Sequence, residues 1–239
     1  MSEPVVERIL VVSAHPDDVD FGAAGTISAW IDQGLSVSYC MVTDGDAGGF
    51  DESVSRADMA QIRRREQTDA AAVVGVHDIH WLGHPDGRLY VTHELRRDIT
   101  RVIRQVRPQR VLCQSPVRNL ERIFASHPDH LAAGEAALCA VYPDARNPFA
   151  HPELLDDEHL EPWTVAEVWL MAHPQGDTWI DITDTFERKV NALRCHVSQV
   201  SHREDDLAEM LRGWATMIAK QGGLPEGRLA EGFRRLVTA

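Results

Sequence analysis

Two short units in the chain carry residue types that can do chemistry: Ala14-His15-Pro16-Asp17-Asp18 and Ser126-His127-Pro128-Asp129-His130. In the first, an imidazole and a carboxylate three residues on, joined by a turn that Pro16 stiffens, can converge on one cation. The second repeats the His-Pro-Asp order and again offers a possible ligand three residues later. Together they supply His/His/carboxylate. A closed structural zinc site uses four protein ligands, so three imply an open position for water. Zn²⁺ suits this set, and Fe²⁺, Co²⁺ or Mn²⁺ accept the same donors. A single His-Pro-Asp is a common turn, with Pro setting φ and Asp capping the next helix. The pairing is what favours a metal, and a shared ion requires the imidazoles of residues 15 and 130 within ~6 Å.

The residues left over suit hydrolysis. A carboxylate beside metal-bound water can take its proton as the water attacks a carbonyl. Asp17, next to the candidate ligand Asp18, fits the base. An imidazole opposite it can stabilise the tetrahedral oxyanion or donate to the leaving amine. His127 fits that part, with Asp129 expected to orient or charge it.

These units need a scaffold that brings distant segments together. Arg8–Ser13, Val37–Thr43, Ile79–Leu82, Arg110–Gln114 and Val165–Ala172 read as strands, short apolar runs of the kind buried on both faces. Ala23–Gln33, Arg56–Val74, Glu94–Val106 and Leu131–Val141 between them have helical spacing. The alternation predicts an α/β fold, a Rossmann-like three-layer sandwich with a mostly parallel sheet. Its active site belongs at the carboxyl ends of the strands, where both His-Pro-Asp units fall. The tail predicts helices over Thr185–Val197 and Glu204–Lys220. The Pro-rich acidic stretch 142–164 reads as a lid or specificity loop, or as plain surface. No repeat or linker divides the chain, so residues 1–239 are expected to form one domain.

Composition narrows the function further. Lys+Arg 24 against Asp+Glu 37 gives a net charge of −13, which argues against nucleic acid or an anionic membrane as partner. No apolar run approaches the ~18 residues of a membrane span, and MSEPVVERI has no basic segment followed by an apolar one. The four cysteines, Cys40, Cys113, Cys139 and Cys195, form no Cys-x-x-Cys pair and fit reduced thiols in a cytoplasmic protein.

His15-Pro16-Asp17-Asp18 with His127-Pro128-Asp129-His130 resembles the LmbE-like (PIG-L-type) family of zinc-dependent N-deacetylases. The likeness extends to the Gly-rich loop Thr43–Gly49 and to Arg63-Arg64-Arg65-Glu66 followed by Ala70–Ala72 and Gly75. It also takes in Pro85-Asp86-Gly87 and Asp181-Ile182-Thr183 with Lys189, Ala192, His196, Ser198 and Gln199. The resemblance implies zinc ligands at His15, Asp18 and His130, a base at Asp17 and a protonated, oxyanion-stabilising histidine at His127. It implies a substrate-contacting arginine at Arg63 and a contact to a sugar hydroxyl at Asp86. It further implies a homo-oligomer that hydrolyses the amide of an acetamido sugar or related small glycoside. One departure stands out: many members follow the Asp pair with Glu, where this chain has Val19 and then Asp20.

Among His77, His80, His84 and His93, His84 is the one expected to line a pocket, because Pro85-Asp86-Gly87 follows it. Trp163, Trp169 and Trp179 are candidates for stacking on a sugar or for packing. Competing readings are an amidase of thiol conjugates, a tailoring deacetylase of a natural-product glycoside, and a non-catalytic Rossmann-like module that binds a nucleotide or sugar. A His/His/carboxylate iron oxygenase ranks lower, since those usually carry His-x-Asp on an all-β barrel.

Overall fold

The computed structural model describes residues 5–238. Its centre is a seven-stranded sheet in the order β3-β2-β1-β4-β5-β7-β6. The strands are β1 (Arg8–Ser13), β2 (Ser36–Thr43), β3 (Asp78–His84), β4 (Arg110–Gln114), β5 (Glu167–Met171), β6 (Thr178–Asp181) and β7 (Ala230–Val237). β3, β2, β1, β4 and β5 run parallel, whereas β7 is antiparallel to both β5 and β6. This is the expected Rossmann-like sandwich with two strands added at one edge. Sequence reading overlooks that pair because β6 has only four residues and β7, AEGFRRLV, breaks its apolar run with Gly232, Arg234 and Arg235.

Successive side chains of β1 point to opposite faces. Leu10 and Val12 join one core beneath α3 (His93–Val106) and α4 (Pro128–Cys139). Ile9 and Val11 join the other, beneath α1 (Asp18–Asp32) and α2 (Arg56–Val74). Each of these fully buried β1 side chains contributes about 1.5–3 kcal/mol. Ser55 accepts from the Asp58 amide to start α2, and Gly75, at φ 92°, ends it. α6 (Phe186–Arg194), the single turn α7 (Val197–Val200) and α8 (Leu207–Gln221) pack a third cluster around Phe186, Val190, Val200 and Leu211.

The stretch 142–164 contains the short α5 (Pro152–Asp156) and is fastened to α3. Arg96 grips both oxygens of Asp144, Arg104 donates to the carbonyls of Asp144, Ala145, Asn147 and Ala150, and Arg101 pairs with Glu158. It braces a helix, and none of its residues lines the cavity described below. No helix of the described residues is long and apolar enough to cross a membrane.

Candidate metal and catalytic site

β1 is the strand from which crossovers leave in both directions, so its carboxyl end opens at the switch point where such sheets bind ligands. The Ala14 amide donates to Gln114 Oε1 at 3.0 Å, and Thr43 donates to the Ala14 carbonyl through both its amide and its hydroxyl. Ala14 is thereby pinned between the ends of β2 and β4, and the chain turns out at His15. Across the gap, α4 begins with Pro128 in its first turn and presents His130. α4 can lie this close to β4 because residue 134 is glycine: a Cβ there would come within 2.3 Å of the Gln114 carbonyl oxygen.

The two His-Pro-Asp units meet here. The ring centroids of His15 and His130 are 5.2 Å apart, inside the limit for a shared ion. Asp18 spans them, with Oδ2 3.1 Å from His15 Nδ1 and Oδ1 3.0 Å from His130 Nε2. Gln114 Nε2 donates to Asp18 Oδ2 at 2.8 Å and fixes the carboxylate plane. The far side of each imidazole is also held. His15 Nε2 lies 3.0 Å from Asp86 Oδ1 and 3.3 Å from Asp129 Oδ2, and His130 has a hydrogen bond to the backbone of Ala125. A metal-binding histidine normally donates its second N–H to a carboxylate or carbonyl in this way, which fixes its tautomer.

The charge balance points to a cation. Burial works to lower the pKa of His15, yet Asp18, Asp129 and Asp86 push it up to about 12. Burial would raise Asp18, but His130 and His15 hold it well below the ordinary carboxylate range. Imidazole and carboxylate donors converging in a buried, electronegative pocket fit a divalent ion of the zinc or iron type.

Asp17 sits at φ 88°, ψ −31°, a left-handed conformation that non-glycine residues rarely adopt and that costs on the order of 1–3 kcal/mol. α2 holds it there. Arg63 donates to the Pro16 carbonyl, and Gln67 Oε1 accepts the Asp17 amide at 2.9 Å. Arg63 also pairs with Asp17 Oδ2 at 3.2 Å and donates to the Gly45 carbonyl at 3.1 Å. Gly45 and Gly48 make room for this guanidinium, since a Cβ at either would lie within 2.5 Å of Arg63 Nη1. Burial pushes the Asp17 carboxyl up to about 6, with Arg63 acting against it.

His127 caps α4. Its Nδ1 accepts the Asp129 amide at 3.2 Å, so Nε2 carries the ring proton. Burial lowers its pKa, as do His15 and His130, which favours a neutral donor rather than the protonated ring the resemblance implies. Its ring lies 5.0 Å from that of His15 and 5.3 Å from that of His130. The ring nitrogens of the three histidines fall within 4.8 Å of one another.

Four expectations change. The Asp129 carboxylate does not orient His127; it accepts the amides of Gly87 and Leu89 and faces His15 Nε2. Asp86, expected at a sugar hydroxyl, is 6% exposed, with one oxygen on His15 and the other on the Ala47 amide. Arg63, expected at the substrate, is 4% exposed and reaches the site through Asp17. His84 points at α3, where it meets Asp98 at 3.1 Å, and does not line the cavity. Val19, in the place of the common Glu, is buried in the core, and Asp20 pairs with the buried His196 at 2.9 Å.

A cavity of about 940 Å³ extends from Asp17, Asp18 and His130 toward Phe124, Trp179 and Trp214. Phe124 and Trp214 stack at 6.5 Å, with Arg122 over both rings. Of the candidate tryptophans, Trp179 lines this cavity, whereas Trp163 donates to the Pro108 carbonyl and Trp169 is a core residue. Sequence does not single out Trp214, because nothing in the α8 pattern separates it from helix packing. Gln67 and Gln114 escape notice for a similar reason: each acts across elements far apart in the chain.

Comparison with known proteins finds relatives over most of the chain. The PIG-L profile, described as GlcNAc-PI de-N-acetylase, matches residues 10–141. The chain is 34% identical to diacetylchitobiose deacetylase of Thermococcus kodakarensis, over 96% of this chain and 83% of that one. It is 31% identical to a probable N-acetyl-alpha-D-glucosaminyl L-malate deacetylase of Bacillus cereus, over 83% and 86% of the two chains. The solved structure of N,N'-diacetylchitobiose deacetylase from Pyrococcus horikoshii superposes with a TM-score of 0.87 at 34% identity, covering 97% of this chain and 84% of that one.

Proposed function

Since this chain belongs to the PIG-L family, we propose that it is an amide hydrolase that removes the acetyl group from an N-acetylglucosamine-type sugar or a related small glycoside. The observation that carries the reading is Asp17, a part-buried carboxylate with a raised pKa that lines the cavity beside a donor set that Asp18 draws together from His15 and His130. Zinc is the ion we assign to this set, with Fe²⁺ the alternative. When bound, such an ion polarises the amide carbonyl and acidifies water. Asp18, which touches both imidazoles, is taken as the third ligand in preference to His127, whose Nδ1 is already engaged by the Asp129 amide.

The chain's own residues divide the work. Asp17 takes the proton of the attacking water, and its raised pKa suits a base acting near neutral pH. His127, neutral and protonated on Nε2, donates to the oxygen that becomes negative in the tetrahedral intermediate. The proton held by Asp17 then passes to the departing amine. Asp129 and Asp86 fix the His15 ring, and Gln114 fixes Asp18. The sugar body lies along the cavity toward Trp179 and Trp214, whose faces can stack on a pyranose.

A panel of N-acetylated sugars and conjugates, scored for free amine with and without chelator, tests the reading. Chelator-sensitive release from acetamido sugars supports it. Metal-free protein, with no release on adding Zn²⁺ or Fe²⁺, overturns it.

A further inference from the structure

The carbonyl of Pro16 and the amide of Asp17 are the two ends of one peptide group, and both are held by the same face of α2. Arg63 donates to the oxygen, and Gln67, one helical turn later, accepts the N–H at 2.9 Å. The other end of Gln67 is also engaged: its Nε2 donates to Asp20 Oδ2 at 2.9 Å, and the same oxygen lies 2.9 Å from His196 Nε2. Gln67, Asp20 and His196 are all fully buried. The chain therefore runs from the backbone of Asp17 through Gln67 and Asp20 to His196, with no exposed member after the first.

We infer that Gln67 is a positioning residue for catalysis, holding the peptide before Asp17 in the orientation that keeps this residue left-handed and its carboxylate beside the ion site. The inference rests on Asp17 being the base. Two features make Gln67 the member that matters. The left-handed φ of 88° is disfavoured for Asp, so an outside contact has to maintain it. An amide side chain is also required: one end must accept from the Asp17 N–H while the other donates to the Asp20 carboxylate. A carboxylate at position 67 could do the first but not the second, and it would face Asp20 with like charge. Arg63 supports the same peptide but also binds the Asp17 carboxylate and Gly45, so its loss would disturb several things at once. Gln67 touches the base only through its backbone, which separates placement from chemistry.

Gln67→Leu tests this with the metal-loaded full chain. The expected result is a kcat at least tenfold lower, with KM within twofold and bound metal per chain unchanged. A kcat within twofold of wild type overturns the proposal. A crystal structure of the variant supplies a readout independent of turnover: φ at residue 17 should move to negative values, and a φ still near the wild-type value overturns the proposal whatever substrate the enzyme takes. If Gln67→Leu does not fold, Gln67→Glu and the swap Gln67→Glu/Asp20→Asn decide. The single change should lose turnover. The swap restores the chain with its polarity reversed, since the amide introduced at position 20 can set its Nδ2 where Asp20 Oδ2 lies and donate one N–H to the carboxylate introduced at position 67 and the other to His196 Nε2, the ring proton then sitting on Nδ1. It should recover kcat to within threefold. Failure of the swap to recover activity overturns the proposal. Absence of acetamido-sugar hydrolysis in the wild type instead overturns the functional reading, and the backbone readout still stands.

Discussion

Asp18 and His130 face each other at 3.0 Å, Oδ1 to Nε2, and this contact joins the start of α1 to the first turn of α4. His15 approaches the same carboxylate from the other side at 3.1 Å. The contact closes the donor set, and it sets the first expected outcome. Purified protein should hold about one divalent ion per chain, and His15→Ala or His130→Ala should lose it while remaining folded. Elemental analysis with a parallel circular dichroism spectrum checks this.

Asp17→Asn should keep the ion and lower kcat by ~10²–10⁴-fold, the usual range for removal of a general base. Full activity in that variant would refute the role. The pH profile follows from the same residue. Burial raises its carboxyl to about 6, and a base must be deprotonated to act, so kcat/KM should fall as pH drops through that region. A bound cation draws the value downward, so the midpoint should lie at or below about pH 6; a limb centred above neutrality counts against Asp17.

His127→Ala should reduce kcat by ~10²–10³-fold, as loss of one oxyanion donor does, with metal content unchanged. Because Nδ1 accepts the Asp129 amide, Nε2 is the donor. His127→Gln, which can still donate, should retain more activity than the alanine variant. Steady-state kinetics of the two side by side decide whether donation or only helix capping is involved.

Trp214→Ala should raise KM for a glycoside substrate by roughly two- to tenfold, the equivalent of ~0.5–1.5 kcal/mol of aromatic contact, and leave kcat nearly unchanged. The ring lines the cavity and stacks with Phe124. An unaltered KM across the sugar panel would remove this wall from substrate recognition.

Asp98 offers a stability test away from the catalytic residues. Burial tends to raise its pKa, but hydrogen bonds from Arg101, Arg97 and His84 overcome this and hold it below its ordinary value. A carboxylate with a folded pKa below the unfolded ~3.9 stabilises the protein above that pH and loses the contribution as pH falls through the folded value. The Tm gap between wild type and Asp98→Asn should thus be largest near neutrality and shrink below about pH 4. A gap that is constant with pH contradicts the assignment.

The features legible in sequence are local ones. Each His-Pro-Asp unit holds its chemistry within five consecutive residues; the first follows directly on the β1 apolar run, and the second opens α4 after an excursion past β4. The parallel strands are readable because burial on both faces demands continuous apolar stretches. Contacts between elements are not. Gln67 and Gln114 look like ordinary polar residues until α2 and β4 are placed against the β1 turn. Asp129 reads as a partner of its neighbour His127. The turn at Gly87 and Leu89 instead captures its carboxylate, and capping α4 draws the His127 ring toward the backbone. The arginines of α3 give no warning that they hold 142–164 down, since an Arg-rich helix face looks solvated until its carboxylate partners are known.

The ion-site residues come from the segment just after β1 and the first turn of α4 and lie within the span the PIG-L profile matches, residues 10–141, whereas Trp179 and Trp214 lie beyond it. The cavity wall is therefore drawn from two stretches of polypeptide, with Phe21, Arg122 and Phe124 inside the matched span and Trp179 and Trp214 outside it. Under the proposed function, a chimaera joined after residue 141 should keep one parent's ion site and one side of its cavity while taking the wall at positions 179 and 214 from the other, and its preference across a sugar panel should move with that wall.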